Sequence, residues 1–196
     1  MTAAERPVRT GPRPTLVAAI VAGCVVALLV VLLATRNNAA DTESSTSIEG
    51  ERAPAVNGDL VLGEPFDLGA SDRWVVVNFF ATWCTPCRVE HPELRAFEEE
   101  HRAIGDARVI SVVYDEDPNL VKKFFEENGG DWPVFDADQG RTAFEWGVTG
   151  VPESYLVAPS GIVVEKVVGG VTKAELDALI KAYSDAPQGG DAGSGS

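Results

Sequence analysis

Two cysteines, Cys84 and Cys87, stand two residues apart in the stretch FFATWCTPCRVEHPEL. A C-x-x-C pair can ligate a metal, staple a loop or exchange electrons. A structural zinc needs four ligands, and the chain adds only His91 and His101, neither at a fitting spacing. No metal is expected. A staple across so short a loop removes little entropy from the unfolded chain. Redox exchange remains, and the surroundings suit it. The pair follows an apolar run of strand length and opens a helical pattern, which puts Cys84 at a helix N-terminus. Unpaired N–H groups and the helix dipole there favour the thiolate, and the thiolate is the nucleophile. Cys87, one turn further in, is expected to be the more buried, resolving thiol. Thr85 and Pro86 tune the couple: Pro86 has no N–H, so one donor to the Cys84 thiolate is missing and the disulfide should be harder to reduce. The chemistry asks for no cofactor beyond the Cys84–Cys87 disulfide itself.

The elements that must position this pair alternate between strand and helix patterns over about 130 residues. DLVL and PFDL suggest a short leading β-hairpin. WVVVNFF, Trp74 to Phe80, reads as a strand buried on both faces. A helix should run from the cysteines towards His101, kinked by Pro92. ARVISVVY is a second buried strand. Asp117-Pro118 is an N-cap and N1 pair opening a helix that ends at Gly129-Gly130. RTAFEWG is a short helix, and SYLVA and IVVEKVV flank a PSG turn as a hairpin. Thr172 to Glu175 forms a capping box for a last helix, with Leu176, Leu179, Ile180 and Tyr183 at core spacing. The order predicts an α/β domain, a mixed sheet with helices on both faces.

Outside that block the chain changes character. Residues 16–34, LVAAIVAGCVVALLVVLLA, carry no charge and are long enough to span a bilayer. Three arginines precede them and an acidic, polar stretch follows Arg36, so residues 1–15 are expected in the cytoplasm and the rest outside. A cleaved signal peptide would want a shorter apolar run and a better cleavage site. A lipoprotein signal at Cys24 would want a polar turn where ten more apolar residues follow. An uncleaved anchor of the cell membrane is the expectation. Residues 35–52 read as a flexible linker, reaching roughly 23 Å root-mean-square, residues 53–185 as the domain, and 186–196 as a low-complexity, disordered tail. The domain would then face an oxidising space where disulfides persist. Charge excludes one class of partner. Residues 37–196 hold 12 Lys and Arg against 29 Asp and Glu, too acidic for nucleic acid, whose phosphates need clustered cations.

VVVNFFATWCTPCRVEHPEL, with GVPESYLVAPSG some sixty residues later, resembles the membrane-anchored TlpA/ResA/DsbE (CcmG) group of the thioredoxin superfamily. The resemblance covers about residues 50–184. It implies a thioredoxin fold with a helix–strand insert at about 118–136, and an extracytoplasmic thiol–disulfide oxidoreductase. Most such proteins are reductants, with cytochrome c maturation the best-known task. It also implies disulfide-containing protein substrates, apocytochrome c among them, and a membrane thiol-transfer donor of electrons. Residue by residue, Pro152 matches the family's cis-proline facing the disulfide, with the backbone before it, at Val151, free to pair with a substrate; otherwise it is an ordinary trans proline. Glu90 matches an acid used near the buried thiol, three residues from Cys87 and so on its face; otherwise it serves the helix dipole. Glu153 matches the Pro-Glu of DsbE-like members in substrate binding; otherwise it is a solvated loop acid. Trp83 is an apolar shield for substrate or a packing residue. Asn78 departs from cytoplasmic thioredoxins, which carry a buried aspartate there, and this adds weight to Glu90. His91 is expected on the surface. Rival readings are a disulfide-forming oxidase, a general extracytoplasmic thioredoxin, and a non-catalytic binding or chaperone module.

Overall fold

The computed structural model describes residues 48–136 and 138–185. The anchor at 16–34, the residues before it, most of the linker and the tail from 186 lie outside the described residues. Along the chain run β1 (Leu60–Leu62), β2 (Trp74–Phe80), α1 (Thr85–Ile104), β3 (Ala107–Val113), α2 (Pro118–Asn128), β4 (Val134–Phe135), α3 (Arg141–Glu145), β5 (Glu153–Val157), β6 (Val163–Val168) and α4 (Lys173–Asp185). The six strands form one mixed sheet in the order β1-β4-β3-β2-β5-β6. β2 and β3 are parallel, as are β3 and β4, while β5 and β6 join antiparallel.

β2 lies at the centre, and its near-continuous apolar run follows from that place. Val75, Val77 and Phe79 join Ile110, Val112, Tyr155 and Trp146 on one face. Val76 and Phe80 join both cysteines, Leu94, Phe97, Leu156, Leu176 and Ile180 on the other. Side chains alternate along a strand, so Asn78 falls on the cysteine face and Ser154 of β5, its register partner, does too. The helix ends obey local chemistry. Asp117 caps α2 through the Asn119 N–H, and Thr172 and Glu175 cap each other at the start of α4. α1 takes Pro92 within its length and runs beyond His101 to Gly105, whose φ of 87° closes it. His101 then bridges Asp106 and Asp177, tying the end of α1 to α4.

The leading hairpin does not form. β1 pairs instead with β4, Leu60 opposite Phe135 and Leu62 opposite Val134, and PFDL leads into a 3-10 turn at Leu68–Ala70. Two features favour this. Pro65 removes a donor that a hairpin partner would need. Gly63, at φ 81°, lies against the Trp132–Pro133 backbone so closely that a Cβ would meet it at 2.8 Å. β1 therefore extends the helix–strand insert of residues 118–136, which is present as expected. The linker also ends earlier than Arg52. Gly50 donates to Val163, Val163 to Glu51, and Ala53 to Gly161, so the segment pairs with the chain at the start of β6. Backbone pairing of that kind needs no particular side chain and leaves no pattern to read.

Candidate active site

The end of β2 delivers the chain to Cys84, the N-cap of α1, which is disulfide-bonded to Cys87. The Cys87 N–H points at Cys84 Sγ, 3.3 Å away, the donor a Cys84 thiolate would keep. Thr85 and Pro86 occupy the first two helical positions, so the Pro86 gap in the donor set stands as expected. The two cysteines are nearly equally buried rather than Cys87 clearly the deeper: Cys84 is 5% exposed and Cys87 4%. Attack from outside must therefore reach Cys84 through its immediate surroundings. Those are Trp83, 62% exposed and so a free apolar plate rather than a packing residue, and the loop before β5. The Val151–Pro152 peptide bond is cis, and the Val151 carbonyl oxygen lies 3.6 Å from Cys84 Sγ. On the approach to the pair, Thr82 donates from its N–H to Glu116, at 2.7 Å, and from its hydroxyl to the same carboxylate.

Glu90 sits behind the disulfide, on the inner face of α1. It is 3% exposed, too buried for an acid that merely complements a helix dipole. Asn78 Nδ2 donates to one carboxylate oxygen at 2.9 Å and the Val171 N–H to the other at 3.0 Å. Asn78 in turn donates to the Ser154 hydroxyl. Burial pushes the Glu90 carboxyl up to about 7, against the pull of the Asn78 and Val171 hydrogen bonds. A buried carboxyl near neutrality on the Cys87 face can take and return a proton without a large driving force in either direction. Ser154 and Val171 were not foreseen. Ser154 had a faint signal, a hydroxyl at a core position of an otherwise apolar strand.

Two residues stand elsewhere than the sequence suggested. His91 is not on the surface. It is buried among Phe124, Phe125 and Trp132, with Nε2 2.8 Å from the Gly129 oxygen, and burial holds its pKa below the ordinary value despite that bond. It docks α1 on the insert, a long-range contact with no local pattern. Glu153 is not a solvated loop acid, and it does not face the disulfide. As the first residue of β5 it is 1% exposed, and strand alternation turns it to the face away from the cysteines. There Thr149 donates to it from N–H and hydroxyl, Tyr155 from its phenol, and Lys166 Nζ lies 3.0 Å away. Burial alone would raise its pKa, but the Thr149 and Lys166 partners outweigh burial and hold it below the ordinary value.

A family model described as Redoxin matches residues 48–182. The chain belongs to the redoxin family. Among curated relatives, it is 33% identical over 152 residues to the thiol:disulfide interchange protein CycY of Rhizobium leguminosarum bv. viciae, covering 76% of this chain and 80% of that one. It is 32% identical over 148 residues to the thiol:disulfide interchange protein HelX of Rhodobacter capsulatus, covering 71% and 81%. A thiol:disulfide interchange protein from Chlorobium tepidum TLS superposes with a TM-score of 0.59 at 31% identity, covering 67% of this chain and 94% of that one. This redoxin is a thioredoxin-like thiol–disulfide oxidoreductase of the TlpA/ResA/DsbE group.

Proposed function

We propose that the protein is a membrane-anchored, extracytoplasmic reductase of protein disulfides, with apocytochrome c maturation its leading task. The Cys84 thiolate attacks one sulfur of a substrate disulfide. A Cys84–substrate bond forms, the substrate S–S bond breaks, and the departing thiolate takes a proton. Cys87 then gives its proton to the Glu90 carboxylate and attacks Cys84 Sγ. The second substrate thiolate leaves and is protonated, and the Cys84–Cys87 disulfide remains. Two electrons have passed from the dithiol to the substrate. A membrane thiol-transfer donor returns them, because the outer space is oxidising.

The observation that carries this reading is the pairing of an N-capping Cys84 under the Val151 carbonyl with the buried Glu90 carboxyl, bonded by Asn78 and the Val171 N–H, on the next turn of the same helix. Support for the extracytoplasmic site is the uncharged run at residues 16–34 with arginines before it. Support for the cytochrome task is the resemblance to DsbE-like members at Pro152-Glu153.

A Cys87→Ser variant tests the reading, since it lacks the resolving thiol and should hold true substrates as mixed disulfides on Cys84. The trapped set is expected to be narrow and to include apocytochrome c or its maturation partners. An equilibrium redox titration should give a potential nearer thioredoxin's, about −270 mV, than a strong oxidant's, about −120 mV. A broad trapped set with an oxidising potential would make it a disulfide-forming oxidase. Reporter fusions after residue 40 should be active only outside the cytoplasm.

A further inference from the structure

Glu153 shares no face with the disulfide, yet it bonds the middle of the loop that touches it, and its partner Lys166 bonds the start of that loop. Its Oε1 accepts from the Thr149 N–H at 3.1 Å and the Thr149 hydroxyl at 2.6 Å. Its Oε2 meets Lys166 Nζ at 3.0 Å and the Tyr155 hydroxyl at 3.1 Å. Lys166 also donates to the Gly147 carbonyl at 2.9 Å and lies over the Tyr155 ring. The loop from Gly147 to Val151 is thus tied at its start by Lys166, at its middle by Glu153, and at its end by β5 itself. A chain so short between fixed points has little freedom left, and Val151 is the residue whose carbonyl stands 3.6 Å from Cys84 Sγ.

We propose that Glu153, with Lys166, is a positioning residue for thiol–disulfide exchange: it holds the Val151 backbone where a substrate's main chain must align beside Cys84. It touches neither the substrate nor the sulfurs and acts through Thr149 and Gly147. The role serves exchange in either direction of electron flow, so it does not depend on the protein being a reductase. Misplacing a reacting pair by about 1 Å can cost 10²-fold, and loosening one loop should cost less. The loss should appear only with substrates that have a backbone to align.

Thr149→Val leaves the buried ion pair intact and removes one hydroxyl donor from an exposed residue. The double variant Glu153→Gln/Lys166→Met removes both charges together, so neither is left buried and alone. Each is compared with the parent in stopped-flow exchange against two oxidants, a disulfide-containing unfolded polypeptide and bis(2-hydroxyethyl) disulfide. The expected result is a rate with the polypeptide down about tenfold in the double variant and about threefold in Thr149→Val. With the small disulfide both should stay within twofold, and the pH profile of Cys84 alkylation should be unchanged. Equal losses with both oxidants, or full activity with both, would overturn the assignment. A merely structural role moves the two rates together.

Discussion

Glu90 and Glu153 are two glutamates buried to nearly the same degree, on opposite faces of one sheet, and their carboxyls move in opposite directions. Burial raises both. Around Glu90 the donors are neutral, an amide side chain and a backbone N–H, and they recover only part of the lost hydration, so its pKa stands at about 7. Around Glu153 there are hydroxyls, a backbone N–H and the Lys166 ammonium, and its pKa falls below the ordinary value. Low exposure alone therefore does not decide whether a carboxylate can exchange protons at neutral pH. The cost of burial must be set against the donors it meets, two at Glu90 and, at Glu153, Thr149 first and then Lys166. One acid is left titratable near neutrality behind the disulfide, and the other stays ionised to lower pH, bonded to Thr149 and Lys166. Their effects on stability have opposite signs. Glu90 stabilises the fold below about pH 4.5, and that contribution is lost as pH rises through about 7. Glu153 stabilises it above the ordinary carboxylate range, and that contribution is lost as pH falls through its depressed pKa.

Removing the cation should break the contrast most severely. Lys166→Met leaves Glu153 as an unpaired buried anion, and breaking such a pair costs about 3–5 kcal/mol. Urea denaturation at pH 7 should show a loss of that order, shrinking as acid neutralises Glu153. A variant as stable as the parent at pH 7 would remove the ion pair from any structural role. Next in size is Glu90→Gln, which cannot titrate. The parent's Glu90-linked decline between about pH 4.5 and 7, about 3 kcal/mol at one pKa unit per 1.36 kcal/mol, should vanish from the pH–stability curve of the oxidised protein. The inflection near pH 7 in the rate at which Cys87 resolves a mixed disulfide should vanish with it. Overlaid profiles would return Glu90 to a passive place in the helix. Asn78→Asp sharpens the comparison with a smaller effect. It puts a second carboxyl where an amide now donates to Glu90 at 2.9 Å, and two carboxyls so close cannot both ionise freely. The pair's upper titration should rise by about one unit, roughly 1.4 kcal/mol, read from carboxyl infrared bands against pH. A midpoint unmoved from the parent's would show that the two side chains have separated.

Much of this protein was legible from local chemistry. Cys84 and Cys87 at the mouth of a helix, the Asp117-Pro118 start of α2, the reciprocal cap of Thr172 and Glu175, and the apolar run of β2 all depend on neighbours within a few residues. Glu90 was named by the family resemblance, and three residues on a helix bring it to the face of Cys87. The failures share one cause. β1 chose β4 over the nearby PFDL, His91 found an aromatic pocket built by the insert, and Glu153 found Lys166 across a strand pair. In each case the partner lies more than ten residues away. A sequence shows which side chains can titrate or pack, and periodicity shows which way they point within one element. Which element comes to lie against them is decided when the sheet closes. The same residue type then has its carboxyl raised in one place and lowered in another, because burial there is met by different donors.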